Sequence, residues 1–170
     1  MKSSQFMEKA MDEHTDLLYR IAYYYVKDPY LAEDIVQDVF MKFYHSNYEE
    51  KGELRAYLSR MTANACKDYL KSWTYRKLQF TEKILQKEKM IHKDRLVQKE
   101  ELNLLDMAIL SLPLKKREAI VYYYLESLSV KEISVLLEAP ESTVKSRIKS
   151  GKDLLKQKLV KEEWEVLLHD

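Results

Sequence analysis

Between Lys145 and Lys161 the chain carries six lysines and one arginine, at 145, 147, 149, 152, 156, 158 and 161, against the single acid Asp153. Wound as a helix, Ser142, Lys145, Ser146, Lys149 and Lys152 share one face. Short hydroxyls that donate or accept are there interleaved with cations that can meet phosphates or purine edges, which points to duplex DNA. Ser142, Thr143, Lys145, Ser146, Arg147, Lys149 and Lys152 are the candidate contacts. Val144, Ile148, Gly151 and Leu155 recur at i, i+4, i+7 and i+11 and form the expected buried stripe opposite.

Two further constellations lie in the first half. Arg60, Asn64, Lys67 and Lys71 are spaced by four, three and four, so they form one stripe on a helix. Such a stripe can follow the backbone of a displaced strand while Asn64 offers both a donor and an acceptor to a base edge. Asn47 and Tyr48, in the preceding HSNYEEKG loop, can line a pocket for a base turned out of the stack. On the helix before that loop, Glu33, Asp34, Gln37 and Asp38 form a polar, acidic face opposite the apolar one.

Other chemistries lack their residues. His14, His45, His92 and His169 are scattered without metal-ligand spacing, and neither a Gly-rich phosphate loop nor a nucleophile elbow is present. No catalytic residue, metal or cofactor is expected. A helical hydrolase or nucleotide-dependent enzyme therefore fits poorly. The single cysteine, Cys66, cannot form an internal disulfide and reads as a small buried apolar residue.

The elements that must position these groups are helices. Only two glycines and three prolines occur in 170 residues, too few for many tight hairpins, and 46% hydrophobic content suffices for packed cores. The net charge of +1 conceals local separation of sign, so nucleic-acid binding has to be focused on patches. Apolar residues at spacings of three and four predict a helix from about Ser4 to Val26, with Phe6, Ala10, Leu17, Leu18, Ile21, Ala22 and Tyr25 inward, ended by Asp28-Pro29. A second runs from Tyr30 to Tyr44, burying Leu31, Ile35, Val36, Val39, Phe40 and Phe43. A third runs from Leu54 to about Trp73, packing Leu58, Met61, Ala65, Tyr69 and Cys66.

Residues 77–101 are dominated by alternating Lys, Arg, Glu and Asp and read as a linker with too little apolar surface to hold a fixed position alone. Periodicity resumes with Leu102, Leu105, Ile109 and Leu112. The expected organisation is all-α, with small helical domains at 1–76 and 102–170. In the tail, Trp164, Leu167 and Leu168 are expected to dock. In each of the triplets Tyr23-Tyr24-Tyr25 and Tyr122-Tyr123-Tyr124 at least one ring must be core, because consecutive helical residues face different directions. No run approaches eighteen apolar residues and the start lacks the apolar core of a signal peptide, so a cytoplasmic protein without membrane insertion is expected.

In the second half Ser129 and Glu132 have the spacing of a capping box, opening a helix whose Val130, Ile133, Leu136 and Leu137 share a face. Glu138-Ala139-Pro140 breaks it, and a new helix starts near Glu141, since Pro140 disfavours helical geometry at Ala139. Two helices joined by so short a turn form a helix-turn-helix.

With these pieces in order, the chain from about Leu17 to Leu159, the linker apart, resembles the extracytoplasmic-function (ECF) group of bacterial RNA polymerase sigma factors of the sigma-70 family. LAEDIVQDVFMKFY looks like that family's polymerase-binding helix and ELRAYLSRMTANACKDYLKS like its promoter-melting helix. LPLKKREAIVYYYLESLSVKEIS and STVKSRIKSGKDLL look like the paired helices that read the upstream promoter element. The resemblance implies docking of core RNA polymerase on Asp34, Gln37 and Asp38. It also implies minus-10 contacts from Asn47, Tyr48, Arg60, Asn64, Lys67 and Lys71, and minus-35 contacts from the helix after Pro140. The implied partners are core polymerase, promoter DNA and an anti-sigma factor; the polymerase, not this chain, is the catalyst. Two places depart from the family pattern. Tyr57 stands where a Trp is common, and Ser150-Gly151-Lys152 stands where an Arg-Ala-Arg run is usual, so a bidentate guanidinium contact is missing at Ser150. A dimeric helix-turn-helix regulator that binds an operator without joining polymerase is the rival reading; it leaves the Asp34 face and the Asn64 stripe without purpose.

Overall fold

A computed structural model of the chain describes residues 2–48, 52–77 and 103–165, the side chains at 73–75, 162 and 164 excepted. All regular structure among them is helical. The charged stretch 78–101, Leu102 and the tail side chains of Trp164, Leu167 and Leu168 lie outside the described residues. The chain divides into two compact units, Met1–Glu101 and Leu102–Asp170.

In the first unit, α1 (Ser4–Val26) begins where the Ser3 hydroxyl accepts from the Phe6 amide at 3.2 Å. It stops at Lys27, which takes the left-handed conformation with φ 61° and donates its amide to Tyr23 O at 2.8 Å. Asp28 opens α2 (Pro29–His45) by accepting from the amides of Tyr30 and Leu31 at 3.0 and 3.3 Å. Pro29 occupies the first helical turn rather than preceding it, because an amide missing there had no intrahelical partner to lose. The third helix, α3 (Leu54–Lys77), extends past Trp73 to end on Arg76 and Lys77, cations that suit the negative end of the helix dipole.

These three helices pack on one another around Leu18, Ile21, Ala22, Val39, Phe43 and Leu58. Each large aliphatic or aromatic side chain so buried contributes about 1.5–3 kcal/mol. The buried seam of α3 differs from the expected one. Leu58 and Cys66 are buried as expected, but Met61, Ala65 and Tyr69 are only half-buried, and Ser59, Thr62 and Ala63 complete the seam in their place. The Thr62 hydroxyl donates to Leu58 O at 2.8 Å, so its burial leaves no unsatisfied donor. Phe6 and Leu31 likewise sit half-buried at the rim.

In the second unit, α4 (Leu104–Leu110) starts after Asn103, whose side chain accepts from the Asp106 amide at 2.8 Å. It buries Ala108, Ile109 and Leu110 while Leu105 stays half-buried; Leu112, also buried, lies in the following turn. Helix α5 (Leu114–Ile120) runs into a π-helical turn, Val121–Leu125, in which the Glu126 amide reaches Val121 O at 3.0 Å. Tyr122 in that turn is buried and Tyr123 exposed, just as Tyr25 is the buried member of the first triplet.

The predicted capping box on α6 (Val130–Leu137) is complete: the Glu132 amide donates to Ser129 Oγ at 3.1 Å and the Ser129 amide to Glu132 Oε1 at 3.0 Å. Glu138, left-handed at φ 52°, ends α6 before Pro140 opens α7 (Glu141–Lys158). Helix α7 packs on α5 and α6 through Val144, Ile148, Gly151 and Leu155, the four residues whose spacing marked them. A short α8 (Lys161–Glu165) rests on α4 and α7.

Candidate nucleic-acid interface

Helix α7 owes its outward face to the depth of its inward one. Gly151 makes that depth possible: a Cβ there would lie 2.6 Å from Ile120 Cγ1 and 3.1 Å from its Cδ1, so α7 approaches α5 more closely than a side chain permits. Facing away, Ser142, Lys145, Ser146 and Lys149 are exposed with Lys152 half-buried beside them, while Thr143 and Arg147 are half-buried on the flank that turns toward the buried stripe. From Ser142 to Lys152 this face extends about 15 Å along the axis, at about 1.5 Å per residue, a length and width that suit a major groove.

The cations beyond Lys152 do not all belong to that face. Lys158 donates to the Ser111 hydroxyl, tying the end of α7 to the α4–α5 turn, and Lys161 pairs with Glu165 at 3.5 Å. The count of positive residues along 145–161 therefore overstates the surface available to phosphate. Lys145, Lys149 and Lys152, within the first three turns, lie on the outward face.

In the first unit, the α3 stripe falls on the outer side of the buried seam. Asn64 and Lys71 are exposed and Arg60 and Lys67 half-buried, so the four remain together on one face. Asn47 is exposed in the loop after α2. Tyr48 is half-buried: its ring sits 5.5 Å from that of Phe43 and 4.7 Å from that of Tyr57, and its hydroxyl donates to Gly52 O at 3.3 Å. Tyr57, itself 6.0 Å from Phe43, thus serves as the floor against which Tyr48 leans. On α2, Glu33, Asp34, Gln37 and Asp38 are all exposed, opposite the buried Ile35, Val36, Val39 and Phe40.

Sequence reasoning missed Lys2. Its ammonium donates to Phe43 O and Ser46 O, each at 2.7 Å, and to Ser46 Oγ at 3.1 Å, and it stands 4.5 Å above the Phe43 ring. No periodicity or local motif signals a contact made across more than forty residues.

The described residues hold no cluster of His, Cys, Asp and Glu suited to a metal ion, and none of their helices is long and apolar enough to cross a membrane. Cys66 is fully enclosed, and burial pushes its thiol up to about 12, which leaves it protonated and inert rather than nucleophilic. Burial, with the neighbouring Tyr123, also raises the Tyr124 phenol.

Comparison with known proteins agrees with both halves of this arrangement. Residues 10–74 match the Sigma-70 region 2 family and residues 102–155 the Sigma-70, region 4 family. The chain is 27% identical over 161 residues to the ECF RNA polymerase sigma factor SigW of Bacillus subtilis, covering 88% of this chain and 86% of SigW. It is 29% identical over 159 residues to the ECF sigma factor SigE of Mycolicibacterium smegmatis, covering 91% of this chain but 62% of SigE, so it spans less than two thirds of that relative. Among solved structures, the sigma factor RpoE of Bartonella quintana, in complex with the anti-sigma factor NepR, shares the fold with a TM-score of 0.68 at 20% identity over 98% of each chain. CnrH, in complex with the cytosolic domain of CnrY, does so with a TM-score of 0.64 at 19% identity over 92% of this chain and 88% of CnrH. With family matches in both units and relatives along nearly its whole length, the chain belongs to the sigma-70 family of RNA polymerase sigma factors, in the ECF group.

Proposed function

We propose that this protein binds core RNA polymerase and directs it to promoters, reading the minus-35 element through α7 and capturing the opened minus-10 strand through α3 and the loop before it. The observation that carries this reading is the coexistence of two kinds of surface in one chain. Outward hydroxyls and cations on a helix-turn-helix suit duplex DNA, and a basic stripe around an exposed Asn suits unpaired DNA. In this reading residues 1–76 form the polymerase-binding and minus-10 domain, 77–101 the linker, and 102–170 the minus-35 domain.

Asp34, Gln37 and Asp38 dock the polymerase. Asn64 contacts a base edge, Arg60, Lys67 and Lys71 hold the displaced backbone, and Asn47 and Tyr48 line the pocket for a flipped base. Ser142, Thr143, Lys145, Ser146, Arg147, Lys149 and Lys152 contact the minus-35 duplex. The protein performs no catalysis: phosphodiester synthesis belongs to the polymerase, and sigma supplies recognition and traps unpaired bases. It works in the bacterial cytoplasm. An anti-sigma partner is supported by the complex of the structurally similar RpoE with NepR.

The test is run-off transcription by the full chain with core polymerase on a randomised promoter library. Enrichment of two spaced elements, dependent on this chain, is the expected result. Duplex binding without retention on core polymerase would instead identify an operator-binding regulator, which has no use for the α2 face or the α3 stripe.

A further inference from the structure

The carbonyls at the end of a helix lack intrahelical donors, and the chain beyond them is free to leave in many directions unless something holds it. At the end of α2 the Ser46 amide donates to Phe43 O at 3.1 Å, and Lys2 adds a tie from a distant part of the chain. Its ammonium joins Phe43 O, in the last turn of α2, to Ser46 O and Ser46 Oγ at the root of the loop. The Ser46 hydroxyl in turn donates to Phe43 O at 2.7 Å, closing a small network around one cation. The same ammonium stands over the Phe43 ring, which with Tyr57 forms the aromatic support of Tyr48. Charge-assisted donation to carbonyls at a helix C-terminus is favoured by the helix dipole as well as by the hydrogen bonds themselves. A cation over an aromatic face adds to both. One side chain therefore ties the exit of the backbone toward Asn47 to one of the two rings that support Tyr48.

We propose that Lys2 is a positioning residue for minus-10 selectivity: it does not touch the base but pre-organises the Ser46–Tyr48 segment that lines the base pocket. This rests on the promoter-reading function proposed above. A pocket whose root is pinned discriminates among bases because the wrong base cannot be accommodated by moving the loop. With the root released, the loop adjusts to more bases, and selectivity falls while capacity to initiate remains. A lysine that merely met a phosphate would behave differently, weakening every promoter alike.

The experiment compares the wild-type chain with Lys2→Met, which keeps the stem and loses every donor, and Lys2→Arg, which keeps donors to carbonyl oxygens. Each is assayed with core polymerase in run-off transcription on a library randomised at minus-10 behind a constant minus-35 element, alongside core-polymerase binding and thermal unfolding. Lys2→Met is expected to flatten the preference between favoured and disfavoured minus-10 sequences by about tenfold, equivalent to about 1.4 kcal/mol, with polymerase affinity and Tm close to wild type. Lys2→Arg is expected to recover most of the preference.

Unchanged selectivity in Lys2→Met overturns the proposal, as does a uniform loss across all minus-10 sequences. So does a Lys2→Arg variant as unselective as Lys2→Met, or a Lys2→Met variant whose Tm and polymerase binding collapse together. If the wild-type chain itself neither binds core polymerase nor initiates, it is the promoter-reading function that fails, an outcome distinguishable from all of these.

Discussion

Gly151→Ala places a methyl group where α7 crosses α5. The added Cβ would stand 2.6 Å from Ile120 Cγ1, 3.1 Å from Ile120 Cδ1 and 3.5 Å from Lys116 O. Carbon atoms in contact prefer about 3.5–4.0 Å, so about 1 Å of relief is needed. Ile120 cannot supply it by swinging into solvent, because it is fully buried, as are Val144 and Leu155 beside the same seam. Forcing a methyl into a packed core costs about 1–3 kcal/mol, while exchanging a mid-helix Gly for Ala returns about 1 kcal/mol of helix propensity. The expected balance is a net loss of about 1 kcal/mol, and for a unit of this size that lowers Tm by about 4–8 °C. Thermal and denaturant unfolding of Gly151→Ala, Ile120→Ala and the double variant form a cycle. In the Ile120→Ala background the clash disappears and Gly151→Ala should stabilise, giving a favourable coupling of about 2 kcal/mol, within the range seen for touching residues. A Gly151→Ala single variant more stable than wild type would refute the reasoning, showing that the helices part at no cost.

Replacing both Asp34 and Asp38 with Lys should weaken capture of core polymerase while unfolding stays within about 0.5 kcal/mol of wild type, as exposed substitutions do; unaltered affinity in a pull-down titration would remove the docking role. Lys149→Ala should weaken minus-35 duplex binding by a similar factor across sequences and reduce the salt dependence by about one phosphate contact, measured by fluorescence anisotropy across a salt series. Cys66, with its thiol raised by burial to about 12, stays protonated when folded but ionises in the unfolded chain from about pH 8.5–9 upward. Its contribution is thus fully present below that range and is lost as pH rises toward 12, at up to about 1.4 kcal/mol per pH unit. Denaturant unfolding of Cys66→Ala between pH 8 and 10.5 should therefore lack that part of the wild-type slope, and parallel slopes would show that the thiol titrates normally.

Much of this fold is legible because helices bury one stripe and expose the rest. Val144, Ile148, Gly151 and Leu155 are buried as their spacing demands, Tyr25 and Tyr122 are the core members of their triplets, and the Ser129–Glu132 box forms as written. Reading fails where a polar residue satisfies itself. Thr62 is fully buried because its hydroxyl finds Leu58 O within its own helix, a solution that an apolar pattern cannot display, and so the apolar spacing places Met61, Ala65 and Tyr69 beside Leu58 and Cys66 in the α3 seam where the structure puts Ser59, Thr62 and Ala63. It fails again where a cation has a structural task. Lys158 and Lys161 look like phosphate ligands in a list of charges, yet a hydroxyl 47 residues away and a carboxylate one turn away engage them. The Lys2 contacts are of the same kind, long in sequence and short in space.

The near-zero net charge acquires a physical meaning from these placements. An acidic face is repelled by a phosphate backbone, and charges separated by more than about 8 Å are largely screened at physiological salt, so a surface is sorted to a partner by its own local sign. In the first unit, the exposed Asp34, Gln37 and Asp38 lie on α2 while Asn64 and Lys71 lie on α3, each on the outer side of a helix that packs on the other. Two helices of opposite outward sign cannot both face one strand of DNA. If α3 holds the strand, α2 must turn to something whose surface is positive or neutral, and a protein partner meets that requirement where nucleic acid does not. Raising the salt should therefore loosen both contacts while leaving the three-helix core, held by Leu18, Ile21, Phe43 and Leu58, untouched.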